Sequence, residues 1–237
     1  MTKKIQRGEN VKQYLDFMSQ LINEQELYTQ NPQDAKASAK HQQAKNVARG
    51  LTLNILNRLN DWDDYVVKGQ VINFLYESHL IGYYQQQDNN LTQAIISLKY
   101  ANLKKTEINL SNGLLDGINL EGTSLQNTNL SEMTLRYTNF SNAHLEYAKL
   151  NTSDLSNANL QQAFLQNADL SNAFLTGANL QNAQLCGTKL INVRDSETAN
   201  FKDAIYDDTT EFGNILNSEA GRKMQSKMKK GICNPVS

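Results

Sequence analysis

The chain has 237 residues, 39% of them hydrophobic, which is enough to bury one large core or two small ones, and 23 Lys and Arg against 24 Asp and Glu. That near-balance excludes an overall field drawing the protein to nucleic acid or an anionic membrane, and no window approaches the roughly 18 uncharged apolar residues of a bilayer-spanning helix. Cys186 and Cys233 are the only cysteines; they are too few for a disulfide framework and stand in no zinc-ligand spacing with histidine, so two reduced thiols in a cytoplasmic protein are expected, with no metal and no cofactor.

From the N terminus, Val11, Tyr14, Leu15, Met18, Leu21 and Ile22 recur at helical spacing and predict an amphipathic helix. Asn31-Pro32 offers a cap and a first-turn proline for a second helix. Along it Val47, Ala48, Leu51, Thr52, Ile55, Leu56 and Leu59 face one side, with Gly50 the only local weakness. A third apolar pattern follows Gly69 through Val71, Ile72, Phe74, Leu75, Leu80 and Ile81. Residues 1–90 thus form a predicted helical segment, closed by a polar linker from Gln85 to Asn90.

A different pattern then begins with Ala101-Asn102-Leu103. From Leu110 to Leu190 leucine occupies every fifth position, Phe140 excepted, and a small residue stands two positions earlier except at Ile108, Ile118 and Met133. A period of five fits neither the 3.6 of a helix nor the alternation of a flat strand. The large and small positions share one side of an extended segment, and the residues between them must turn the chain. Leu98 and Leu103 lie two residues out of phase with Leu110, so an insertion is expected near 104–107. Residues 191–198 interrupt the pattern before Ala199-Asn200-Phe201 and Ala204-Ile205-Tyr206 resume it. The tail carries Arg222, Lys223, Lys227, Lys229 and Lys230, with Met224 and Met228 four apart; a solvated, partly disordered end is expected, although the spacing also suits a basic amphipathic helix.

Units such as Ala158-Asn159-Leu160 and Ala168-Asp169-Leu170 resemble the pentapeptide-repeat family. The flanks narrow the resemblance to a cyanobacterial group with an N-terminal helical segment: residues 11–18, 48–53 and 74–81 look like its helical head, and 204–212 like its closing segment. The resemblance implies a mainly β fold, a right-handed quadrilateral parallel β-helix over 91–212, capped by the helical bundle of 1–90 and by a C-terminal cap and basic tail over 213–237. It also implies that residues one coil apart stack. One inner ladder is then Leu120, Phe140, Leu160, Leu180, and another is Leu110, Leu130, Leu150, Leu170, Leu190. On the outside, Asn119, Asn139, Asn159 and Asn179 form a column whose amides can bond along its length.

No nucleophile with a base, no carboxylate pair in a cleft and no phosphate-cradling glycine loop can be assembled from this chain, so no catalytic residue is expected. Aromatic residues interrupt the polar outside at Tyr137 and Phe174 on one face and at His144, Tyr147 and Phe164 on the opposite face, making these the candidate interaction surface. The expected function is a noncatalytic protein-interaction, regulatory or scaffold module with a protein partner, or with a second copy meeting it end to end; nucleic acid and membrane are not expected. The resemblance also raises imitation of duplex DNA toward a topoisomerase such as gyrase, for which 110–190 offers Asp116, Glu121, Glu132, Glu146, Asp154 and Asp169 against Arg136, Lys149 and Lys189, and a structural solenoid without a dedicated partner.

Overall fold

The structure is a computed structural model and describes residues 2–23, 35–61, 65–78, 80–81, 84–85, 91–92, 98–99, 101, 103 and 115–233. Three helices lead: α1 (Thr2–Asn23), α2 (Ala35–Asp61) and α3 (Tyr65–Glu77), with α2 packed against both others. Their shared core holds Tyr14, Met18 and Leu21 from α1, Ala44, Ala48, Ile55, Leu56 and Leu59 from α2, and Val71, Ile72 and Leu75 from α3, as the helical spacing predicts, whereas Val47 and Leu51, expected on the same side of α2, are exposed. The third helix stops before Leu80 and Ile81, because the Leu80 amide donates to Leu75 O (2.8 Å), a wider closing turn of the kind that ends helices. Both residues are nevertheless buried. The Asn31-Pro32 start signal and the linker from 86 to 90 lie outside the described residues. A short antiparallel pair, β1 (Tyr84–Gln85) and β2 (Leu91–Thr92), follows the head.

The repeat then coils. Parallel bridges join Asn119 to Asn139, Ser124 to His144, Asn129 to Lys149 and Thr134 to Asp154, and each of these four series continues up the molecule in steps of one coil. Bridge partners 20 residues apart and a unit of five make four sides per coil. The corners explain the unit. Every fifth residue from Gly117 to Asn192 has positive φ, and each lies two positions past a buried leucine or Phe140. Positive φ at the third residue alone, with the amide of the fourth donating back to the first carbonyl as in Ala143 N to Phe140 O (3.0 Å), is a type II turn. Asn and Gly dominate that slot because they tolerate the left-handed region best. Where Asn or Asp stands before the large residue, at 119, 129, 139, 154, 159, 169 and 179, it caps the turn, since its side-chain oxygen accepts the amide two residues on, as in Ser141 N to Asn139 Oδ1 (3.1 Å) and Ser171 N to Asp169 Oδ1 (2.9 Å).

Inside, Leu120, Leu130, Phe140, Leu150, Leu160, Leu170, Leu180 and Leu190 are all buried; Leu110 lies outside the described residues. Each contributes roughly 1.5–3 kcal/mol of transfer free energy. Where a hydroxyl replaces the small alanine it is satisfied: Thr128, Thr138 and Thr188 donate to the carbonyls of Leu103, Leu115 and Leu165 at 2.7–3.0 Å.

The phase slip is visible in the bonding. Leu115 N reaches Thr134 O across 19 residues, whereas Leu103 N reaches Ser124 O across 21, so the first coil carries two extra residues. At the other end Leu180 N meets Asn200 O, one residue further than the regular spacing. A short 3₁₀ turn at Ser196–Thr198 holds the addition.

Two expectations about the C terminus are corrected. The basic tail is ordered: α4 (Glu219–Ser226) starts on Ser218, whose hydroxyl accepts the Gly221 amide (3.0 Å), and Met224 and Met228 are buried. The four-residue spacing of the methionines marks the apolar side of this helix and of the turn that follows it, directed toward the protein's own core rather than toward a lipid or a partner. After α4, β4 (Lys229–Lys230) pairs in parallel with β3 (Ile205–Tyr206), and Cys233 forms a disulfide with Cys186, their Cα atoms 6.0 Å apart. The thiols expected to be free are joined because the coil brings residue 186 beside a strap that is 47 residues away in sequence.

Candidate interaction surface

The four outer columns differ sharply. On the asparagine side each amide donates down the column, Asn139 to Asn119 (3.5 Å), Asn159 to Asn139 (3.2 Å), Asn179 to Asn159 (3.3 Å), and Asn200 extends the series to Asn179 (3.0 Å). With every oxygen also taking a backbone amide, this face is satisfied by its own neighbours and is structural.

The aromatic positions fall on two opposite sides, as the repeat arithmetic predicts, and three of the five are occupied internally. His144 and Phe164, one coil apart on a single column, stack with centroids 4.5 Å apart and planes within 5°. His144 Nδ1 also lies 3.1 Å from Oε1 of Glu146, a carboxylate whose side chain is only 1% exposed. On the far side Phe174 lies under the guanidinium of Arg194, 4.8 Å from its ring centroid. Arg194 was legible in principle, since it sits one coil beyond Phe174 when the count allows for the column.

Tyr137 and Tyr147 are different. They are 59% and 50% exposed, the only large exposed hydrophobics among the described residues of the repeat. Both occupy the left-handed corner slot, with φ of 59° and 60°. A bulky aromatic there is disfavoured relative to the Asn or Gly found at most other corners. The structure does not gather them: they stand at diagonally opposite corners, Tyr137 beside the Phe174 column and Tyr147 beside the His144 column.

The carboxylates counted toward DNA imitation are largely committed. Asp116 accepts Arg136 through Nε (3.0 Å) and Nη2 (2.7 Å), Glu121 pairs with Lys99 (2.9 Å), and Glu146 is buried. Among the described residues no group of three or more His, Cys, Asp or Glu could hold a metal, and no helix is long and apolar enough to cross a membrane. In the head, burial pushes the Tyr14 phenol up to about 12 despite its bond to Thr52 Oγ1 (2.8 Å). Two shallow grooves of about 330 and 300 Å³ lie between α1 and α2, sharing Phe17.

Residues 106–142, 114–151 and 153–190 match the family described as pentapeptide repeats, in eight copies. Among solved structures, the chain is similar to Rfr23, a pentapeptide repeat protein from the cyanobacterium Cyanothece 51142, at 39% identity over 40% of this chain and 64% of that one, TM-score 0.39. It is also similar to HetL, a pentapeptide repeat protein involved in heterocyst differentiation regulation from the cyanobacterium Nostoc sp. strain PCC 7120, at 32% identity over 47% of each chain, TM-score 0.32. A third is full-length QnrB1, a plasmid-mediated fluoroquinolone resistance protein, at 15% identity over 50% of this chain and 73% of that one, TM-score 0.26. No curated protein matches the chain.

Proposed function

Because the array spanning 106–190 belongs to the pentapeptide-repeat family, we propose that this chain is a noncatalytic protein-interaction module, a right-handed quadrilateral β-helix whose corners at Tyr137 and Tyr147 contact a protein partner. The carrying observation is the pair of exposed tyrosines in backbone conformations that disfavour them. Strain of this kind, of order 1–3 kcal/mol per residue, persists where the side chain serves a purpose other than folding. Tyrosine also gives a large amphipathic contact at low entropic cost. The internal stacks at His144, Phe164 and Phe174 stiffen the neighbouring walls rather than reaching outward. Cytoplasmic placement belongs to the same reading, and recovery of the chain from an exported or lumenal fraction would overturn it.

The test replaces Tyr137 or Tyr147 with a photo-crosslinking phenylalanine analogue in cells, with Gln161 as the control position. Adducts to the same protein from a tyrosine site, absent from Gln161, are expected. Equal labelling at all three positions would leave a structural solenoid as the better account. Imitation of DNA is the weaker reading, given the pairing of Asp116 and Glu121 and the burial of Glu146. A gyrase supercoiling assay is expected to show neither inhibition nor protection.

A further inference from the structure

Past the buried Met228, the C-terminal strap lies along the last coil. Its backbone holds the last coil through Lys227 O, which accepts the Asp203 amide (3.0 Å), through Lys229 N to Ala204 O (2.8 Å) and through Gly231 N to Tyr206 O (2.9 Å). The side chains add Lys229 to Asp203 (2.8 Å) and Lys230 to Asp208, both pairs on the surface, where solvent and salt weaken them. Ile232 is 95% exposed. Beyond Gly231 the described strap is fastened by the Cys186–Cys233 disulfide, with the Cys186 amide directed at Cys233 Sγ (3.2 Å).

We propose that this disulfide is a redox-operated latch: its reduction releases residues 229–233 from the final coil and bares the edge of β3. Cys186 is buried at a corner of the solenoid, while Cys233 is the more open partner. A thiolate of a dithiol reductant therefore attacks Cys233 Sγ, and the Cys186 sulfur leaves and takes up a proton. The reductant's second thiol then resolves the mixed disulfide, leaving Cys233 as a thiol. Two electrons and two protons pass to the protein, and the reductant becomes a disulfide. Release removes the strand that, among the described residues, pairs with Ile205–Tyr206 on its outer side. The coil itself stays closed below, because Ile205 N bonds Ala183 O (2.8 Å) and Leu185 N bonds Ile205 O (2.7 Å) independently of the strap. The exposed edge is the kind to which an extended segment adds.

Hydrogen exchange on the full chain, oxidised and then reduced with dithiothreitol, tests the latch. Amides of Lys229 and Gly231 are expected to exchange at least tenfold faster after reduction, while those of Leu145, Leu150 and Leu165 keep their protection. The Cys186→Ser/Cys233→Ser double variant should match the reduced protein without any reductant. Unchanged protection of Lys229 and Gly231 after reduction, with both thiols verified by alkylation and mass measurement, would overturn the proposal. So would loss of protection throughout the solenoid, which would make the bond a global staple. In cells, alkylation trapping should show the pair shifting between thiols and disulfide when a thiol oxidant is added. A pair that stays wholly in one state would equally sink the idea.

Discussion

The solenoid and the helical head bury their leucines by different logic. In the solenoid each leucine is held by a five-residue unit that repeats its turn and its left-handed corner, so the neighbours above and below need only be another copy. In the head, Leu56 and Leu59 depend on side chains contributed by two other helices of unrelated sequence. A periodic wall can therefore vary its outward residues freely, and the contacts proposed above fall where the usual residues of the repeat give way, at Tyr137, Tyr147 and the strap.

The largest effect tests the wall. Leu160→Asp places an unpaired carboxylate in the core and should cost more than about 4 kcal/mol in denaturant unfolding, whereas Gln161→Asp on the outer turn should cost less than about 0.5 kcal/mol. Equal effects would erase the distinction between inside and outside. The head supplies the next. Tyr14 titrates near its ordinary value of 10.0 when unfolded and at about 12 when folded. The folded state thus holds its proton longer, and stability present below pH 10 is lost as pH rises toward 12, by roughly 2–3 kcal/mol. Tyr14→Phe should remove that dependence from the helical circular-dichroism signal.

Corner geometry comes third. Gly177 has φ of 65°, and an added Cβ would lie 2.6 Å from Asn157 Oδ1, so Gly177→Ala should destabilise by about 1–2 kcal/mol. The smallest effect has the opposite sign: Tyr147→Asn suits the left-handed slot better and should stabilise by up to about 1 kcal/mol while weakening partner capture. Stabilisation with undiminished capture would separate Tyr147 from the interaction surface.

Much of this was readable in advance. The inner ladders and the asparagine column follow once the family resemblance supplies four units per coil, and the two-residue change of phase between Leu103 and Leu115 follows from counting, although the expected insertion near 104–107 lies outside the described residues. The left-handed strain was also encoded, since Tyr137 and Tyr147 occupy a slot that Asn and Gly dominate, although only backbone angles show what the slot requires. The ion pair of Glu121 with Lys99 depends on the irregular first coil and has no signature in the period. The burial of Glu146 beside His144 has no signature in a single unit, because it belongs to one column, where Gln126, Gln166 and Cys186 are buried too, while the same turn position on the other three sides is partly or fully exposed.

The five-residue repeat carries its own folding instructions: a leucine to bury, a small residue to make room, an asparagine or aspartate to cap the turn and a corner that accepts positive φ. Each of these acts within one or two units, so sequence alone decides the turns and which residues face inward, while the family resemblance supplies the four-sided coil. The C terminus obeys no such local rule. The expectation of a solvated charged tail fails there because Arg222 and Lys223 share a helix with Met224, whose burial, like that of Met228, depends on the end of the solenoid being present to receive it. The Cys186–Cys233 bond depends likewise on where the last coil ends and how the strap returns. Those contacts join residues far apart along the chain, and only the assembled coil sets the distance between them.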